Sequence, residues 1–212
     1  MSDSPTSDHC LAVFPLNTVL LPGCVLQLRI FEARYLDMVS ASLRDQRPFV
    51  IVQAHQDGKE RSRQSGAAEA RQELHFYAIG CEAEVIDFDS GADGVLTIMV
   101  RGHSRVNLSD IHQQSSGLWM ANTECLPEWG AMADDGLFRL RDLLERLLQH
   151  DHTKPLLDWI SLDNQEVVMN HLVMLLPLAT TMKQALLEAD DLGVRWQGIE
   201  DAIKRLEEQG GR

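Results

Sequence analysis

Phe14-Pro-Leu-Asn-Thr-Val-Leu-Leu-Pro-Gly23, followed by Leu28-Arg-Ile-Phe-Glu-Ala-Arg-Tyr35, decides how this chain folds. Leu11 to Leu16 is apolar and ends at Asn17, which predicts a short strand. Leu20-Leu-Pro-Gly23 predicts a turn, because Pro22 presets φ and Gly23 tolerates positive φ. Val25 to Ile30 alternates as a strand does. From Glu32 the period changes: Phe31, Tyr35, Val39 and Leu43 recur every four residues, with Leu36 beside them. That spacing makes one face of an amphipathic helix. Pro48 ends it, since the residue before a proline is pushed out of the α region.

Outward from this stretch, Phe49-Val-Ile-Val52 reads as a buried strand. His55 to Gln72 has no apolar periodicity and predicts a long mobile loop, open to trypsin at Lys59, Arg61 or Arg63. Leu74 to Asp87, Val95 to Val100, Arg105 to Leu108 and Leu118 to Leu126 read as strands. Turns are expected at Ser90 to Gly94, at Gly102 and at Ser115 to Gly117. After Pro127 the pattern turns helical. Phe138, Leu140, Leu143, Leu144, Leu147 and Leu148 mark one helix. Asp163 and Glu166 fit a capping box before a second, which Pro177 ends. Thr180 or Thr181 caps a third, Lys183 to Ala189. Gly193 marks a turn, and Ile199, Ala202, Ile203 and Leu206 define a last helix. The expected layout is a disordered tail over 1–10, a β-rich part over 11–130 and a helical part over 131–208.

Composition narrows the function. The chain has 212 residues, 44% hydrophobic and 24% charged, which is ordinary for a globular protein. Its formal net charge of -13 argues against nucleic acid and anionic membrane surfaces, which are bound through Lys/Arg clusters. The first residues lack the cationic and apolar regions of a secretory signal. No apolar run approaches the ~20 residues of a membrane span. These features place the protein in the cytoplasm. Cys10, Cys24, Cys81 and Cys125 form no Cys-x-x-Cys pair, so free thiols are expected and no structural zinc.

The opening segment resembles the amino-terminal domain of Lon proteases, the part that handles substrate. The resemblance extends through Ile79-Gly-Cys-Glu-Ala-Glu-Val85, Asp93-Gly94, Ile98-Met-Val-Arg-Gly102 and Arg105-Val106. It continues through Leu175-Leu-Pro-Leu178, Lys183-Gln184, Leu186-Leu-Glu188 and Arg195, from about residue 11 to about residue 206. It implies an α+β fold: an N-terminal PUA-like pseudo β-barrel followed by a C-terminal helical bundle. It also implies a non-enzymatic module that binds exposed hydrophobic segments of polypeptides or a partner protein. A Lon protease adds an ATPase and a Ser-Lys proteolytic domain. Here the only Gly-Lys pair is Gly58-Lys59, followed by Glu60, so no phosphate-cradling loop is expected. The chain is read as a stand-alone domain with no cofactor. The alternative is RNA or nucleotide-ligand binding through the PUA-like part, which the charge disfavours.

No catalytic or metal-binding constellation is expected. His150-Asp-His152 supplies two imidazoles and no third ligand. Ser104 and Ser109 stand near His103 and His112 without a Gly-x-Ser-x-Gly elbow. The candidate partner-binding residues are Leu20, Leu21, Pro22, Glu32, Arg34 and Tyr35. Arg34 can meet a peptide carboxylate with its planar fork, or tie helix to sheet. Glu32 at a helix start complements the dipole. Leu20, Leu21, Trp119, Trp129 and Trp159 supply either an apolar patch or core packing.

Overall fold

In the computed structural model, the described residues are 10–55, 75–90, 95–129, 137–149 and 159–210. Six strands and five helices are seen among them: β1 (Cys10–Leu16), β2 (Val25–Ile30), α1 (Ala33–Asp45), β3 (Phe49–Gln53), β4 (Ile79–Ser90), β5 (Leu96–Gln113), β6 (Trp119–Cys125), α2 (Leu137–Leu147), α3 (Gln165–Leu175), α4 (Thr180–Glu188) and α5 (Leu192–Gly210). This is a mixed α+β fold. The expected tail, most of the expected loop at His55 to Gln72, and His150 and His152 lie outside the described residues.

The sheet order is β2-β5-β4-β3-β1-β6, and β6 pairs again with β5. Five strands therefore form a closed circuit of pairings, with β2 added to β5. Only β1 and β3 run parallel. Both are apolar on both sides, which is what strands buried on two faces require. Val13, Val50 and Val52 face one cluster with Val106, Leu108 and Phe76. Phe14, Phe49 and Ile51 face a second, larger cluster. That larger cluster also takes Leu140 and Leu144 of α2, Val168 and Leu172 of α3, and Ile199 of α5. Helices and sheet thus share one continuous apolar core.

Several expectations are corrected. Val95 to Val100 and Arg105 to Leu108 are one strand, β5, and Gly102 is no turn. It lies inside β5 because the Leu21–Cys24 turn docks against it. Gly102 N–H donates to Cys24 O at 2.9 Å, and Gly23 N–H donates to Gly102 O at 2.8 Å. A Cβ at 102 would collide with the Leu21 carbonyl oxygen, so the backbone contact itself selects glycine.

The apolar faces of the helices are narrower than the spacing predicts. Phe31 precedes the N-cap Glu32, so helical spacing does not apply to it, and it is 77% exposed. α1 buries Tyr35 and Val39 as the spacing predicts, with Met38 beside them, but Leu43 is exposed. Phe138 points away from the Leu140, Leu144 and Leu148 stripe of α2 and is exposed. The N-cap of α3 is Asn164, one residue after Asp163, and its side chain accepts from Val167 N–H. Glu166 is thereby released from any capping box. α4 begins at Thr180 behind Ala179, with no side-chain cap. Gly193 lies in the first turn of α5.

Candidate functional site

The helices are joined to the sheet by a buried polar cluster assembled from distant parts of the sequence. Gly23 has φ +74, and a Cβ there would come 2.7 Å from Val167 Cγ2, so α3 sits directly on the Leu20–Gly23 turn. Asn170 of α3 donates from Nδ2 to Pro22 O at 2.9 Å. Its Oδ1 accepts from Arg195 Nη2. Arg195 of α5 is fully buried and also donates from Nε to Leu186 O at 2.8 Å. Arg105, from β5, donates to Leu187 O at 3.0 Å, to Ala189 O at 3.2 Å and to Pro127 O at 2.7 Å. These are carbonyls left over at the end of α4 and after β6. Gln184 ties α4 to β4 through Ile79 O at 3.0 Å.

Trp129 completes the cluster. The guanidinium carbon of Arg105 lies 4.0 Å from its ring centroid and that of Arg195 3.3 Å. Its indole N–H donates to Ala189 O at 2.6 Å. Both cations rest on the π-face, which favours desolvated guanidinium. Burial nevertheless lowers the pKa of Arg195, to about 10. The nearby Glu166 carboxyl is pushed up, first by burial, although Arg195 opposes this. His171 and Lys183 are both pushed down by burial.

This joint binds its own chain throughout. The open surface lies elsewhere. A groove of about 440 Å³ runs between α1 and the β1–β6 pair. Leu11, Ala12, Met38, Ala41, Leu118 and Met120 supply its apolar lining. Arg34 and Asp37 stand towards one end, and Asp45 and Arg47 towards the other. Arg34 closes its end: Nη1 donates to Gly117 O at 2.8 Å, in the loop before β6. Arg47 holds the other through Nη2 to Cys10 O at 3.2 Å.

The six candidate residues divide. Leu20 and Leu21 are 1% and 0% exposed, and Pro22 is buried beneath α3. Tyr35 is buried and stacked on Phe14, with centroids 4.0 Å apart. Arg34 alone lines the groove, with Glu32 bonded to it at 2.9 Å. The turn and Arg34 are not brought onto one pocket. Trp129 and Asn170, which hold the joint, were missed as polar partners. The signal available was a tryptophan just before the helical part and a lone asparagine in an apolar helix. His103 is bonded to Glu84 and His112 to the Asp110 carbonyl oxygen. Among the described residues no group of three His, Cys, Asp or Glu converges as a metal site would require.

A family model for the substrate-binding domain of the ATP-dependent protease La (LON) matches residues 10–205. The chain belongs to this family. A Lon N-terminal domain protein from Xanthomonas campestris, known by crystal structure, superposes with a TM-score of 0.68 at 29% identity, over 91% of this chain and 97% of that one. The N-terminal domain of Mycobacterium avium complex Lon protease gives a TM-score of 0.59 at 20% identity, again over 91% and 97%; that likeness is one of fold alone. No match was found among curated proteins. The Lon substrate-binding domain is a recognition domain and not a catalytic one, which supports a substrate-recognition role for this chain. Of the family-like residues, Gly23 meets α3, Arg105 and Gln184 join α4 to the sheet, Arg195 joins α5 to α3 and α4, and Gly102 packs against the Leu21–Cys24 turn.

Proposed function

We propose that this chain binds polypeptide, taking exposed hydrophobic segments or a partner protein into the groove between α1 and the β1–β6 pair. The observation that carries this reading is the groove itself: a concave, largely apolar surface beside Arg34, in a domain of a substrate-binding family. Its volume suits a few side chains of an extended segment. Arg34 supplies the near wall, with Glu32 bonded to it and the buried Tyr35 ring stacked against it. Leu20, Leu21 and Pro22 act from beneath, by seating α3 and the start of β2. In this reading the closed strand circuit is a PUA-like pseudo-barrel over 11–130, and the helices over 131–208 form a bundle braced by the Arg105–Trp129–Arg195 stack. The binding step needs no catalysis and no cofactor. The setting is cytoplasmic, and among the described residues no helix is long and apolar enough to cross a membrane.

The test is binding of a fluorescent, chemically unfolded model protein to wild type and to Ala41→Glu. Ala41 lines the groove and is only partly buried. The substitution should abolish binding while leaving the thermal transition in place. Unchanged binding by that variant would remove the groove from consideration. Binding of an RNA oligomer, competed by salt and not by unfolded protein, would favour the nucleic-acid alternative.

A further inference from the structure

We infer that the groove takes the carboxyl-terminal end of a polypeptide, with Arg34 receiving the terminal carboxylate in place of Glu32. This rests on the polypeptide reading above and specifies which part of a polypeptide the site prefers.

Arg34 is held from two sides. Nη1 donates to Gly117 O at 2.8 Å, and its guanidinium carbon lies 4.7 Å from the Tyr35 ring centroid. Tyr35 is in turn stacked on buried Phe14, so the platform is rigid. What remains is the Nε–Nη2 edge, which can take both oxygens of one carboxylate in two parallel bonds. Glu32 fills that edge with a single oxygen: Oε2 lies 2.9 Å from Nε and 2.7 Å from Nη2. The side chains are 30% exposed for Arg34 and 43% for Glu32, so the pair is open to exchange with another carboxylate.

The lining next to Arg34 selects the source of that carboxylate. Met38, Leu118 and Met120 are apolar. A ligand residue that carries both a carboxylate and an apolar side chain satisfies both at once. A chain-terminal apolar residue does this, and an internal Asp or Glu does not. Asp37, one helical turn from Arg34, also lines the groove. It disfavours a second acidic residue near the end. Asp45 is engaged by Arg44 and so bears less on the ligand.

The experiment is fluorescence anisotropy with a labelled octapeptide ending in consecutive leucines, as the free acid and as the amide. The amide should bind about tenfold more weakly, as loss of charge-assisted bonds implies. Glu32→Ala should tighten the acid by about threefold and leave the amide unchanged, since an exposed ion pair is a weak competitor. Arg34→Lys keeps the charge and loses the fork, so it should erase most of the preference. Acid and amide binding equally would overturn the inference while leaving the groove as a polypeptide site. An acid preference unaltered by both substitutions would overturn it in favour of another cation. Failure of folded wild type to bind either peptide would overturn the groove reading, and this inference with it.

Discussion

Arg195 lies over Trp129 with its guanidinium carbon 3.3 Å from the ring centroid, and no carboxylate hydrogen-bonds to it among the described residues. A fully buried cation held by an indole face, a carbonyl and an amide is an uncommon arrangement. Its Nη1 has no hydrogen-bond partner among the described residues. Charge burial is costly here, and the contacts that offset it come from three other segments, at Asn170 of α3, Leu186 of α4 and Trp129.

Arg195→Leu should therefore destabilise by about 2–4 kcal/mol, because Asn170 Oδ1 and the Leu186 carbonyl lose a buried donor. Because the apolar core is shared, sheet and helices should still melt in one transition. Circular dichroism in the helical band, run beside tryptophan fluorescence, checks this. Two separated transitions in wild type would mean that the joint does not couple the two parts.

Gly102→Ala should cost about 2–4 kcal/mol, more than a typical exposed glycine substitution, because the colliding atom is backbone oxygen and cannot rotate away. Gly23→Ala adds left-handed strain to a clash with Val167, and should be of similar size. Urea denaturation with an unchanged slope would locate both losses in the native state.

Stability should respond to pH through two groups of opposite sign. The folded-state pKa of Glu166 is raised, mainly by burial. Its contribution is fully present below its ordinary value of 4.5 and is lost as pH rises through the raised one. The folded-state pKa of His171 is depressed by burial. Its contribution is present above 6.5 and is lost as pH falls towards the depressed value. Unfolding free energies between pH 4 and pH 8 for Glu166→Gln and His171→Leu check the two signs. Wild type should lose stability relative to Glu166→Gln as pH rises above 4.5, and should lose stability relative to His171→Leu as pH falls below 6.5.

Arg34→Ala removes one part-buried bond to Gly117 and a stacking contact with Tyr35. A loss of about 1 kcal/mol is expected, which for a chain of this size lowers Tm by roughly 2–4 °C. Gly117→Ala, which strains φ +81 without removing the arginine, should loosen the same loop. Hydrogen exchange at residues 114–118 distinguishes a loosened loop from general unfolding.

The strands were legible in the sequence wherever burial follows from alternation or from continuous β-branched runs, as at Phe49-Val-Ile-Val52. The Leu20–Gly23 turn was legible because Pro22 and Gly23 restrict the backbone locally. Gly102 was not, because its reason is a carbonyl oxygen eighty residues earlier in the chain. The cap of α3 falls on Asn164 and not on Asp163, because both residue types cap well and the choice depends on where Val167 must sit against Gly23. The groove was invisible for the same reason. Its walls come from residues 10–12, 34–49 and 114–120, and among the lining residues only Arg34 is a partner-binding candidate in the sequence.

Strand β1 lies between β3 and β6 in the sheet although it comes first in the chain. Its neighbour β6 starts more than a hundred residues later, at Trp119. The earliest strand is thus among the last to acquire its full set of partners, and its edge towards β6 stays unpaired until the circuit can close. Such long-range closure slows folding and leaves a sticky ribbon in the interval. During synthesis, this recognition domain is itself the kind of exposed apolar segment it is proposed to bind.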